Sequence, residues 1–275
     1  MNTRVLLPLA MAALTAACDS GTSNAPVGAS PLPSTSAAPM AAPPRPQAAV
    51  WPFVGDAGTA VAPASSAPVP PTSDAPQALA ELLRRNYYVV FDASGSMQQS
   101  RCSGDASKLV VAKQALLRFA SRLPADANVG LHVFDGHGVR QVMPLGPLEP
   151  AAFEQSVDAI RAGGGTPLAK SAREAYGVLT AQGRQQFGYG EYHLIIVTDG
   201  EATGEDPRGV VNRIVAESPV LVNTIGFCLD EKHSLNQPGR TIYRSADNPA
   251  ALEQTLADVL AEAPSFDIKR FEPAK

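Results

Sequence analysis

The stretch Tyr88–Met97 reads YVVFDASGSM, an apolar run that ends in one aspartate and two serines with a glycine between them. A continuous apolar, β-branched segment such as Tyr87–Phe91 is what a strand covered on both faces requires. Its ending is harder to explain by packing. Asp92, Ser94 and Ser96 stand at alternate positions of a tight loop. Positions i, i+2 and i+4 of such a loop can turn their oxygens toward a common centre. Gly95 is expected to let the backbone bend there without a side-chain clash. Taken alone, Asp-Ala-Ser-Gly-Ser is also an ordinary turn composition.

Working outward, the periodicity changes from two to three-and-four. Leu109, Ala112, Leu116, Phe119 and Leu123 mark a helix over Lys108–Leu123. Strands are expected at Asn128–Phe134, His193–Thr198, Val220–Phe227 and Thr241–Ser245, with a short one at Val139–Leu145. Helices are expected at Ala78–Arg85, Pro150–Ala162, Thr166–Gln182, Pro207–Ser218 and Asn248–Ala263. In the last of these Asn248 serves as cap and Pro249 as first helical residue. The tail after Ala263 is expected to add an edge segment. Strands alternating with helices predict an α/β fold with a mostly parallel sheet and helices on both faces.

Open sheets of this class carry their sites at the carboxyl ends of the strands. Two further segments reach that edge: Gly163–Leu168 (GGGTPL) and Thr198–Glu201 (TDGE). Together with the first loop they supply Asp92, Ser94, Ser96, Thr166 and Asp199, all oxygen donors. Such a set suits Mg²⁺, Mn²⁺ or Ca²⁺ and argues against zinc. Two carboxylates and three hydroxyls only just neutralise a divalent ion, which leaves one position open to a partner's carboxylate. Separately, Thr166 before Pro167 also reads as a helix cap, and Asp199-Gly200 as a common turn.

The set VVFDASGSM, SKLVVAKQAL, NVGLHVF, GGGTPLAKSAREA and LIIVTDGE resembles the von Willebrand factor type A domain from about Tyr87 to about Ala263. Asp92-x-Ser94-x-Ser96 with Thr166 and Asp199 resembles its metal-ion-dependent adhesion site. The resemblance implies a Rossmann-like doubly wound domain. It implies Mg²⁺ held directly by Ser94, Ser96 and often Thr166, with Asp92 and Asp199 bound directly or through water. It also implies ligand binding at the top of the sheet, often through a ligand carboxylate, and no catalysis. Gln98–Ser107 is a longer loop than the family pattern and is expected to rim the site. Cys102 lies in that loop and Cys228 follows a strand at the same edge, making them a candidate disulfide. Within the acidic run Glu201–Asp206, Glu201 is the candidate to stand behind the ligands and orient them.

The N-terminus, MNTRVLLPLAMAALTAACDS, has the layout of an export signal: Arg4, an apolar run too short to span a bilayer, then small residues. LTAAC resembles the lipobox of bacterial lipoproteins, with Thr15 departing from the commonest pattern. The expectation is a signal peptide over residues 1–17, lipid on Cys18, and membrane attachment by lipid alone. Asp19 favours retention at the inner membrane, facing the periplasm; the outer membrane is the alternative. More than half of the 25 prolines precede Gln77. Residues 19–76 accordingly read as a disordered Pro/Ala/Ser-rich tether, reaching roughly 40 Å as a coil. Residues 77–275 are then the folded domain.

The chain of 275 residues carries a formal charge of -4 and no basic face, which argues against a nucleic-acid partner. The expected function is divalent-metal-dependent binding of a protein in the cell envelope, without catalysis. Two rivals exist: a structural envelope domain with a vestigial site, and a metal-dependent phosphatase-like hydrolase. The hydrolase would need a second carboxylate two residues after the nucleophilic aspartate, where Ser94 stands. His132, Asp135 and His137 fit no closed zinc spacing.

Overall fold

A six-stranded sheet in the order β3-β2-β1-β4-β5-β6 organises the molecule, seen here in a computed structural model that describes residues 75–261. The expected signal peptide, Cys18, nearly all of the tether and the C-terminal tail lie outside these residues. The strands are β1 (Arg85–Asp92), β2 (Asn128–Asp135), β3 (Gly138–Pro147), β4 (Glu191–Thr198), β5 (Leu221–Phe227) and β6 (Ile242–Ala246). The helices are α1 (Ala75–Leu82), α2 (Lys108–Ser121), α3 (Pro150–Asp158), α4 (Leu168–Gln185), α5 (Arg208–Glu217) and α6 (Pro249–Ala261). All ladder pairings are parallel except β2 with β3. The doubly wound α/β architecture expected from the sequence is the one observed.

The alternation within β1 shows why its sequence is apolar throughout. Tyr87, Val89 and Phe91 face one layer, packed with residues of α2, α3 and α6. Tyr88 and Val90 face the other, packed with residues of α4 and α5. Every residue of Tyr87–Phe91 is fully buried. Each such side chain contributes about 1.5–3 kcal/mol when removed from water. Two helices start at side-chain caps, and of these the sequence reading named Asn248. Ser107 accepts from the Val110 amide, and Asn248 Oδ1 accepts from the Ala251 amide at 2.9 Å.

Most element ends move by a few residues from expectation, and three of the differences have a clear physical reading. Arg85 belongs to β1, because it pairs in register with Glu191 of β4. β3 is longer than the expected Val139–Leu145 and antiparallel, since the short link after Asp135 returns the chain along β2. It forms one edge of the sheet, carries Pro144 and Pro147, and pairs with β2 through an irregularity between Val129 and His132. Finally, α4 begins at Leu168 rather than Thr166.

From β1 the chain winds outward to β2 and β3 on one side and to β4, β5 and β6 on the other. The carboxyl ends of β1 and β4, where the winding reverses, therefore flank the crevice that this class of sheet uses for ligands.

Candidate metal centre

Register brings the first two pieces together. Phe91 pairs with Val197, so Asp92 and Thr198 leave the sheet side by side. The Thr198 hydroxyl donates to Asp92 Oδ2 at 2.6 Å, and the Ser94 amide donates to Asp92 Oδ1 at 2.7 Å. Asp92 is wholly buried. Burial pushes its carboxyl up to about 6, with Asp199 adding to the rise and the Ser94 and Thr198 hydrogen bonds opposing it. A buried carboxylate pressed in this way is one that gains from a nearby cation.

The serines follow through a short 3-10 turn, Gly95–Gln98. Ser94 Oγ lies 2.9 Å from Ser96 Oγ, and Ser96 Oγ donates to Asp199 Oδ1 at 2.7 Å. Asp199 Oδ2 accepts from Lys108 Nζ at 2.8 Å. Thus Asp92, Ser94, Ser96 and Asp199 form one connected polar cluster although Asp199 is distant in sequence.

The glycine loop holds this cluster by its backbone. Gly163 N donates to Ala93 O at 2.9 Å, and Gly95 N donates to Gly164 O at 3.1 Å. Gly164 has φ +76, and a Cβ there would meet Asp135 O at 2.8 Å. Gly95 is not the demanding glycine: its φ is not positive, and a Cβ would only reach ordinary contact at 3.6 Å from Gly164 O. Gly164→Ala should therefore lower stability by about 1–3 kcal/mol in urea denaturation, while Gly95→Ala changes it little. Equal effects at the two positions would refute this account of the loop.

Thr166 follows that loop and is 6% exposed. Its amide donates to Thr203 Oγ1 at 2.9 Å, and its carbonyl accepts from the Thr203 amide. Pro167 holds the cap position of α4, and no side chain caps that helix. The Thr166 hydroxyl is therefore not spent as a cap. It lies beside the β4 turn, 4.0 Å from where a Cβ on Gly200 would stand.

Glu201 turns elsewhere. Its carboxylate accepts from the Ser234 amide at 3.2 Å and the Ser234 hydroxyl at 2.8 Å. Beside it, His233 Nδ1 accepts from the Leu235 amide, which leaves Nε2 to donate to Gly200 O at 3.0 Å. Glu201 and His233 thus fasten the turn after β4 to the segment between β5 and β6. Cys102 and Cys228 are both free thiols, both at positive φ, and Cys228 Sγ donates to Arg101 O at 3.0 Å. His132, Asp135 and His137 do not converge as a set of three. His132 is buried against Glu174, whereas Asp135 is clamped by Arg140 and also accepts from the His137 amide at 2.8 Å, with the largely exposed His137 ring 3.6 Å away.

Among the described residues, no three His, Cys, Asp or Glu side chains gather as a metal cluster. The donors that do gather are hydroxyls and carboxylates, which fit a hard divalent cation. Sequence reading missed Lys108, Thr198, Thr203 and His233. Lys108 alone left a signal: a lysine in the first turn of a helix, next to the positive end of the helix dipole, is unfavourable there without a partner.

A von Willebrand factor type A domain model matches residues 86–264, and the chain belongs to that family. The particular relatives are these. YwmD, an uncharacterized protein of Bacillus subtilis (strain 168), is 32% identical over 165 residues, covering 54% of this chain and 70% of YwmD. A solved von Willebrand factor type A structure from Catenulispora acidiphila has a TM-score of 0.53 and 19% identity, covering 65% of this chain and 42% of that one. Proximal thread matrix protein 1 from the mussel byssus, solved with a zinc-occupied metal-ion-dependent adhesion site motif, has a TM-score of 0.53 and 16% identity. That match covers 65% of this chain and 47% of the byssus protein. The chain thus spans less than half of either solved chain, and those two likenesses are of fold.

Proposed function

We propose that this domain binds a protein partner through a divalent cation held by Ser94, Ser96, Thr166, Asp92 and Asp199. The observation that carries the reading is the buried chain of contacts from Thr198 through Asp92 and Ser94 to Ser96 and Asp199. It lies where the sheet's winding reverses, and the side chains proposed as ligands all offer oxygen. Mg²⁺ suits the site best, with Mn²⁺ and Ca²⁺ as alternatives. When bound, the cation would supply a Lewis-acidic charge for an Asp or Glu carboxylate of the partner. The chain's own residues do the positioning. Thr198 and the Ser94 amide fix the Asp92 carboxylate, and the Gly163 and Gly95 amides hold the serine loop against the glycine loop. A byssus protein of the same fold carries zinc in its metal-ion-dependent adhesion site motif, which supports metal binding in this fold, so the preference against zinc read from the oxygen donors does not hold for every such domain.

The reading is of a binding domain rather than an enzyme. A hydrolase would need a proton-handling acid where Ser94 stands, and that hydroxyl is committed to Ser96. We further propose that Cys18 is lipidated and that residues 19–76 tether the domain to a membrane facing the periplasm.

Affinity capture with the full chain tests this. A partner retained in Mg²⁺ should be lost with chelator and with Ser96→Ala. Equal retention under all these conditions would overturn metal-dependent binding. Fractionating Cys18→Ser alongside tests the anchor: the variant should leave the membrane fraction, and its persistence there would refute lipidation at Cys18.

A further inference from the structure

Lys108 is an odd residue for its position. It opens α2, where the helix dipole already presents positive charge, and it is only 4% exposed. Burying an ammonium is costly unless it is paired and hydrogen-bonded. Nothing in helix stability explains its presence. Its partner does: Nζ lies 2.8 Å from Asp199 Oδ2, with the two side chains 5% and 0% exposed. The placement is rigid as well. The Lys108 amide donates to Gln99 O at 2.8 Å, which ties the start of α2 to the turn carrying the serines. The two oxygens of Asp199 are thus divided, Oδ1 to Ser96 and Oδ2 to Lys108.

This changes the charge balance on which the proposed function rests. Asp92 and Asp199 alone would bring a divalent cation to neutrality, and an incoming carboxylate would then leave excess negative charge. With Lys108 present, the same cation leaves the buried set one charge positive, and a single carboxylate restores neutrality. Charges a few ångströms apart in a site shielded from water interact strongly, so this difference is large. From the ion pair we propose that Lys108 couples cation binding to carboxylate binding: the site holds a divalent cation weakly by itself and tightly once a carboxylate arrives. The inference deepens the reading above and depends on it. By linkage, the cation and the carboxylate each raise the other's affinity by the same factor.

Calorimetry with Mn²⁺ on the full chain, with and without acetate as the carboxylate probe, tests the coupling. Lys108→Met should bind Mn²⁺ roughly tenfold or more tightly than the parent without acetate, and Lys108→Arg should remain weak. Acetate should tighten Mn²⁺ binding more in the parent than in Lys108→Met. Equal Mn²⁺ affinity in the parent and Lys108→Met, or an equal acetate effect, overturns the coupling and leaves metal binding intact. No Mn²⁺ binding by the parent or either variant overturns both readings. Should Lys108→Met unfold in chelator, its refolding on Mn²⁺ titration reports the same affinity, and failure to refold at any Mn²⁺ concentration counts against the proposal.

Discussion

Asp92→Asn is expected to reduce Mn²⁺ affinity by roughly 10- to 100-fold while leaving the cation-free protein as stable as the parent or more so. The two halves of this result have one cause. Asp92 is wholly buried, and burial pushes its carboxyl up to about 6, from an ordinary value of 3.8. At neutral pH the fold must hold the charged form in an environment that disfavours it, a cost the unfolded chain does not bear. Asparagine removes that cost and keeps the hydrogen bonds. Its oxygen accepts from the Ser94 amide, and its amide donates to Thr198 Oγ1, whose proton can turn to Gly200 O, 3.1 Å away. Urea denaturation in chelator should show a gain of up to about 3 kcal/mol, and calorimetry should show weak or absent Mn²⁺ binding. A loss of stability with Mn²⁺ affinity unchanged would mean that Asp92 is a structural acid and not part of a cation site.

His193→Phe should change the pH dependence of stability by about as much. His193 lies in β4, 1% exposed, with its ring stacked on Tyr87 at 4.7 Å and 17°. Neither ring nitrogen has a hydrogen-bond partner. Burial pushes its pKa down to about 4 from 6.5, with Arg85 adding to the fall. Between those values the unfolded chain binds the proton and the fold resists it. Stability is therefore fully present above about pH 6.5 and is lost as pH falls toward 4, by about 3 kcal/mol in all. Asp92 works in the opposite sense. Its folded value, about 6, lies above its ordinary 3.8, so stability rises as pH falls through that window. In chelator the two nearly offset each other. Phenylalanine keeps the stack and removes the proton site. The variant should gain stability relative to the parent as pH falls from about 6.5 to 4, read from urea midpoints across that range. Parallel profiles for the two proteins would show that His193 is not held neutral by burial.

Much of this was legible in the sequence because the signal was local. Tyr87–Phe91 reads as a doubly covered strand since each of its residues meets a helix layer. Asn248 announces its helix because a cap needs only the next turn. The oxygen set could be listed because it lies at strand ends, whose place in such sheets is general. What escaped was long-range. Lys108 and Asp199 are 91 residues apart, and Thr198 and Asp92 are 106 apart, so no spacing rule links them. The glycine that the turn demands was misplaced for a similar reason. Gly95 looks essential within its own loop, whereas the tight approach is between Gly164 and Asp135 of β2.

The outer strand β3 has a consequence of its own. An uncovered strand is a template on which a second molecule can extend a sheet, the route to fibrillar aggregation. Pro144 and Pro147 remove two backbone donors from that strand, and the pairing irregularity near Leu131 distorts the ladder behind it. Lateral zippering of one copy onto another is thereby discouraged on the β3 side of the sheet.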